Sequence, residues 1–331
     1  MNKAKRFQKS RAGMMLAMLV CAAGAPAWSA PLELQSSVPL NVSGRIDHIA
    51  VDLAGKRLFI CALGQDAVEV VDLMARRAVK SISGFSEPQG VVYVDGRLFV
   101  ANGGDGTLRV LDGHSFKTIS TMAFGEDADN MRYDAQAGLV CAGHGRGGLA
   151  LIRAGDAREI GDIALDGHPE AFELEPNGSR VFVNVPDAAE IEVADRRLQK
   201  VIAKWPMEKF RGNFPMALDQ KDDRLFVGCR GSNRLVVLDA VSGREVSDLP
   251  VSGDNDDLFY DPARRRVYAS CGRGFLDVFA QQDGDHYRRM AHIPTARGAR
   301  TSLFVPQLDA LYLAAPRRAG QTAALWIYKV K

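Results

Sequence analysis

Short apolar runs recur along this chain, separated by turn-forming Gly, Asp and Asn clusters, and their spacing is the first feature that carries information. They centre on Phe59 (Arg57-Leu58-Phe59-Ile60), Phe99 (Arg97-Leu98-Phe99-Val100), Val140 (Leu139-Val140-Cys141) and Phe182 (Arg180-Val181-Phe182-Val183). They return at Phe226 (Arg224-Leu225-Phe226-Val227), Tyr268 (Arg266-Val267-Tyr268-Ala269) and Tyr312 (Leu311-Tyr312-Leu313). The steps between centres are 40, 41, 42, 44, 42 and 44 residues. No segment sustains a 3.6-residue period, so helix is expected to be scarce.

Each unit reads as four strands. In the first, Ile46 to Asp52 is innermost, Arg57 to Ala62 second, Ala67 to Leu73 third and Ala78 to Ile82 outermost, with turns at Ala54-Gly55-Lys56 and Gly64-Gln65-Asp66. Seven such units predict an all-β fold: a seven-bladed β-propeller with four antiparallel strands per blade. The last unit supplies only three strands, ending at Leu325-Trp326-Ile327-Tyr328, while Leu32 to Leu40 precedes the first unit with no blade of its own. The amino-terminal strand is therefore expected to complete the seventh blade and close the ring.

The stretch Leu98-Phe99-Val100-Ala101-Asn102-Gly103-Gly104-Asp105-Gly106-Thr107-Leu108-Arg109-Val110-Leu111-Asp112 resembles the YVTN-type propeller repeat. Similar copies run over residues 58–72, 181–195 and 225–239, and the chain as a whole resembles the exported bacterial YncE-like propellers. The third, sixth and seventh copies lack the terminal Asp. The resemblance implies the fold. It leaves function open, because propellers serve as binding modules, lactonases, lyases and dehydrogenases alike.

The amino terminus changes the charge picture. Lys3, Lys5, Arg6, Lys9 and Arg11 precede an apolar stretch from Met14 to Ala23 and then Ala25-Pro26-Ala27, the order of a signal peptide cleaved after Ala27. Residues 1–27 thus read as a cleaved export signal and 28–331 as one propeller domain, periplasmic or secreted, without membrane insertion and monomeric. The full chain carries 42 basic and 40 acidic residues, net +2. The mature part, with 37 and 40, is slightly acidic. That weighs against nucleic acid as a partner.

In a propeller, the residues leading into each innermost strand surround the mouth of the central channel. Aligning the units puts Asp47-His48, Gln89-Gly90, Asp129-Asn130, Glu170-Ala171, Phe214-Pro215, Asp256-Asp257 and Arg300-Thr301 there, with Arg45, Glu87, His168, Arg211 and Asn213 beside them. The candidate ligand-binding residues are Asp47, His48, Gln89, Asp129, Asn130, Glu170, Arg211, Asn213, Asp256, Asp257 and Arg300. Arg146, Arg230 and Arg273 are further cations on the same face, suited with Arg211 and Arg300 to clamping a carboxylate or phosphate. Asp129, Asn130, Glu170 and Asp256 supply the oxygen donors that Ca²⁺ or Mg²⁺ takes. His48, His168 and Glu170 are candidate proton-transfer groups; His144 lies in a loop between second and third strands. Phe210, in the long segment 205–214, is a candidate stacking surface, whereas Trp205 reads as the buried end of an outer strand.

The leading functional expectation is an exported propeller that binds a polar small ligand, or another exported protein, at this mouth without catalysis. One alternative is a cation-assisted, lactonase-like hydrolase or lyase acting on a sugar acid or lactone. A second, implied by some YncE-like proteins, is single-stranded DNA binding through a basic groove with stacking aromatics. Gly143-His144-Gly145-Arg146-Gly147-Gly148 spells G-x-G-x-x-G, but Leu149-Ala150-Leu151-Ile152 behind it reads as strand, which excludes a dinucleotide site. Cys61, Cys141, Cys229 and Cys271 remain after cleavage; buried free thiols are expected, with a Cys229–Cys271 bridge as the alternative.

Overall fold

The computed structural model describes residues 30–331. The export-signal reading of residues 1–27 lies outside the described residues. Seven four-stranded antiparallel sheets form the ring, with innermost strands Ile49–Asp52, Pro88–Val94, Ala128–Asp134, Phe172–Leu174, Asn213–Asp219, Asn255–Asp261 and Ser302–Val305. Among the described residues the helical segments are three single 3₁₀ turns, Leu63–Gln65, Pro186–Ala188 and Pro306–Leu308. No helix among them is long and apolar enough to cross a membrane.

The amino-terminal strand Leu32–Pro39 is the outermost strand of blade 7. It pairs antiparallel with Ala324–Val330, from Leu32 opposite Val330 to Pro39 opposite Ala324. The Leu40 amide extends the pairing to the Ala323 carbonyl at 2.9 Å. The last blade is thus built from both ends of the described chain.

The doubly apolar second strands follow from how blades stack. Side chains alternate across a strand, and each face of a blade meets a different neighbour. In Arg97–Asn102, Phe99 and Ala101 join a cluster shared with blade 3, while Leu98 and Val100 join one shared with blade 1. Seven such clusters occur among the described residues, one at each blade junction. Aromatics reinforce several junctions: the rings of Phe59 and Tyr93 stack at 5.3 Å, those of Phe226 and Tyr260 at 5.4 Å.

Two recurrent details explain the sequence signature. The Asp ending the repeat caps the turn into the outer strand: Asp112 Oδ1 accepts the backbone N–H of His114 and Ser115, and Asp239 Oδ1 those of Val241 and Ser242. Every outermost strand also carries one register shift, at Val79, Ile119, Ile160, Ile202, Val246, Met290 and Gln35. A bulge there twists the exposed edge away from flat pairing with another sheet.

The candidate site at the channel mouth

Bulges also shape the mouth. The innermost strands of blades 2, 3, 5 and 6 lose register between Pro88 and Val91, Ala128 and Met131, Asn213 and Met216, and Asn255 and Asp257. The extra residues fall at Gln89-Gly90, Asp129-Asn130, Phe214-Pro215 and Asp256, and a bulge re-aims its side chains. Gly90 is required by proximity: a Cβ there would run into the Asp129 carbonyl oxygen of the next blade.

A cavity of about 290 Å³ occupies the mouth, lined by Arg45, Asp47, His48, Gln89, Asp127, Asp129, Asn130, His168, Glu170, Ala171, Phe214, Arg230, Asp256 and Arg300. The alignment of blade starts therefore brings eight of its eleven ligand candidates to one cavity: Asp47, His48, Gln89, Asp129, Asn130, Glu170, Asp256 and Arg300. The remaining three are placed elsewhere. Asn213 is fully buried between blades; its Nδ2 donates to Asn184 Oδ1 and to the Glu190 carbonyl, both at 2.9 Å. Arg211 is exposed and outside the cavity lining, and its backbone carbonyl accepts the Gly231 amide at 2.9 Å. Asp257 faces a second chamber further down the channel.

Other expectations are corrected by burial. Phe210 packs with Trp205 and Met207 in the blade 4–5 core, so it offers no stacking surface to a ligand, and the single-stranded DNA reading loses its aromatic contact. Trp205 is buried at the end of an outer strand, as expected. His144 ends the strand Leu139–His144, stacked on Phe124 at 5.1 Å with Nε2 3.1 Å from Asp162, a strand-end hydrogen bond rather than a mouth group. Arg146 lies over Gly125 and Arg273 against Gly253, away from the cavity lining. All four cysteines are buried free thiols; Cys229 Sγ points to the Val227 carbonyl and Cys271 Sγ to that of Ala269.

The lining charges fall into two arcs. Blades 5, 7 and 1 carry the arginines and blade 6 carries Asp256, largely paired: Asp256 lies between Arg230 and Arg300, Arg300 also reaches Asp254 at 2.8 Å, and Arg45 reaches Asp47 at 3.2 Å. The Arg230 guanidinium stacks 3.9 Å from the Phe214 ring centre. The Asn184 amide holds the Phe214 carbonyl at 2.8 Å, so the buried Asn184–Asn213 pair positions this platform. Blades 2 to 4 contribute Gln89, Asp127, Asp129, Asn130, His168 and Glu170, with no Lys or Arg. Gln89 donates to Asp127 Oδ1 at 2.6 Å, and His168 Nε2 lies 3.8 Å from Asp127 Oδ2. The half-buried Glu170 makes no side-chain hydrogen bond or ion pair among the described residues; its amide donates to the Asn184 carbonyl at 2.9 Å, fixing it at the rim.

Three arginines thus face five carboxylates, and burial resists that much negative charge. It raises Glu170 to about 7, an effect offset in part by Arg230. It raises Asp47 to about 6 against the pull of Arg45, Arg300 and Arg230. Asp129 is pushed well above the carboxylate range by burial and by Asp47, Glu170 and Asp127.

His48 forms the floor. Its Nε2 lies 3.8 Å from Asp47 and 3.9 Å from Asp129, its Nδ1 3.8 Å from Asp257, and its amide donates to the Gln89 carbonyl at 3.2 Å. Three nearby carboxylates would favour an imidazolium, yet burial and then Arg132, Arg300, Arg230 and Arg45 lower His48 to about 3. Burial and the four arginines outweigh the carboxylates and favour the neutral ring. Below it lies a chamber of about 310 Å³ with apolar walls from Ile49, Val91, Met131, Phe259 and Leu303, the pair Arg132–Glu173 at 3.7 Å, and Asp257 accepting the Ser302 amide at 2.6 Å.

Among the described residues, Asp129, Glu170 and Asp256 do not bring carboxylate oxygens within 4.8 Å of one another. Among the described residues, carboxylates from three side chains come within 4.8 Å of one another at Asp166, Glu190 and Glu192, where Lys204 lies among them.

Asp127, Arg132 and Glu173 were not anticipated. The last two share one register position with Ala50, Val92, Ala217, Phe259 and Leu303, each opposite the same site on its second strand. Charge at a position that is otherwise apolar was the signal. Asp127 precedes its strand and carried none.

No family model matches the chain, and no curated protein matches it. Among solved structures it is similar to a chain in the crystal structure of a mitotic checkpoint complex, at 12% identity and TM-score 0.72, covering 94% of this chain and 98% of that one. It is likewise similar to Kuenenia stuttgartiensis hydrazine synthase, at 14% identity and TM-score 0.72, covering 88% and 99%. At these identities the likeness is one of fold.

Proposed function

We propose that this chain is an exported, YncE-like member of the YVTN propeller group that holds a small polar ligand in its channel mouth without transforming it. The observation that carries this reading is Glu170: a rim carboxylate with no side-chain hydrogen bond or ion pair among the described residues, in a cavity where carboxyl groups outnumber arginines. A ligand that brings positive charge or several hydrogen-bond donors relieves that imbalance, and the volume suits a metabolite. The histidine at the floor is neutral, sits beyond hydrogen-bond reach of the three neighbouring carboxylates and lies beneath the cavity, which suits a wall more than a proton shuttle.

Thermal-shift screening of the purified protein tests the reading, with neutral sugars, sugar acids, lactones, amines, amino acids, Ca²⁺ and Mg²⁺ as probes. Stabilisation by one class, lost in Glu170→Gln, supports it. Turnover of a lactone, abolished by Glu170→Gln or by chelation, replaces it with the cation-assisted hydrolase. No shift with any probe overturns the mouth as a binding site.

A further inference from the structure

Resting on that reading, we infer that the mouth is built for a compact zwitterion, an amine and a carboxylate carried close together on one small skeleton. The two arcs of the lining differ in what they lack. On blade 4, Glu170 lines the cavity and makes no ion pair among the described residues, and the lining of blades 2 to 4 adds the carboxyl groups of Asp127 and Asp129 but no Lys or Arg. On blades 5 and 7, Arg230 is held through Nε, to the Asn255 carbonyl at 2.7 Å, and through Nη2, to Asp256. Arg300 is held through Nη1 to Asp254 and through Nε to Asp256, both at 2.8 Å. Each guanidinium is thereby fixed in orientation, and the remaining nitrogen of each, Arg230 Nη1 and Arg300 Nη2, makes no hydrogen bond among the described residues. Both arginines line the cavity and meet on Asp256, which sets their guanidinium groups side by side for an anion.

The separation of these features selects the ligand. Glu170 and Arg230 belong to adjacent blades and feel one another's charge, yet they form no ion pair within 4.0 Å. A molecule with only an amine leaves the arginine donors unmatched, and one with only a carboxylate adds negative charge beside Glu170. A zwitterion answers both and adds no net charge to a buried site. The cavity of about 290 Å³ holds roughly ten waters at about 30 Å³ each, the scale of an amino acid rather than a polymer segment.

Calorimetric titration of the full-length protein with a matched set separates the contributions: butylamine, butyrate, 2-aminobutyrate and 4-aminobutyrate. At least one aminobutyrate should bind at least tenfold more tightly than either singly charged compound. Glu170→Gln should remove that advantage while leaving butyrate unchanged or tighter, and Glu170→Asp, which keeps the charge, should retain it. Equal binding of butyrate and the aminobutyrates, or an advantage that survives Glu170→Gln, overturns the zwitterion. So does a neutral sugar or sugar acid that binds at the mouth while all four compounds fail, and that outcome leaves the binding-site reading standing. Failure of every probe overturns both.

Discussion

Removing the amino-terminal strand tests ring closure. Deletion through Val42 strips Ala324–Val330 of its outer partner and takes four buried side chains out of the blade 7 junctions: Leu32, Val38, Leu40 and Val42 are 3%, 0%, 4% and 0% exposed. At about 1.5–3 kcal/mol for each buried aliphatic side chain, the loss is roughly 6–12 kcal/mol, an upper bound set by an extended unfolded chain. A domain is stable by only about 5–15 kcal/mol, so the truncated chain should not fold cooperatively. Val38→Ala grades the effect: two methyl groups and a partial cavity cost about 2 kcal/mol. Urea unfolding followed by tryptophan fluorescence is the assay, since Trp326 lies on the strand that loses its partner, opposite Ser37. A synthetic peptide of residues 30–42 added in trans should restore the transition. A truncated chain that unfolds at the same urea concentration as the full one would refute closure by this strand.

The chamber below the mouth predicts a pH dependence of its own. Asp257 rises from 3.8 to about 7 through burial, above its unfolded value, so its contribution to stability is complete below about pH 4 and lost as pH rises through about 7. Ionising it in place costs about 4 kcal/mol, and Asp257→Asn, which still accepts the Ser302 amide, should gain a few kcal/mol on the wild type between pH 5 and pH 8.5 in denaturant titrations. A difference independent of pH contradicts this. Asn213→Ala should destabilise by about 2–3 kcal/mol, because it strands the Asn184 and Glu190 oxygens in the core, and should weaken ligand binding through the Phe214 platform. Unchanged unfolding in Asn213→Ala argues against that role. Cys61, Cys141, Cys229 and Cys271 should resist a thiol reagent until urea unfolds the chain, and reduction should leave the intact mass unchanged; rapid labelling of native protein, or a 2 Da gain on reduction, contradicts buried free thiols.

The ring was legible because one physical constraint is repeated seven times: a second strand packed on both faces must be apolar throughout, as Leu58-Phe59-Ile60 and Leu225-Phe226-Val227 are. Its closure followed from strand arithmetic at the two ends. The rim was legible wherever a blade start supplied a polar pair, as at Asp47-His48 and Asp129-Asn130. It failed where a neighbouring residue takes the opposite face. Asn213 and Phe214 are consecutive, yet the bulge between Asn213 and Met216 sends the amide into the core and the ring to the cavity. Phe210 reads as exposed in a polar loop, and only the fold reveals the hydrophobic gap between blades 4 and 5 that it fills. Pairing was equally hidden: nothing in sequence shows that Asp256 is committed to two arginines and Glu170 to none.

A high-resolution crystal structure of the protein purified from its native compartment tests the central claim most directly. Density for a small molecule is expected in the mouth cavity, in contact with the Glu170 carboxylate and with the Arg230 or Arg300 guanidinium. A mouth containing only ordered water, with a co-purified molecule bound elsewhere on the ring, would contradict it.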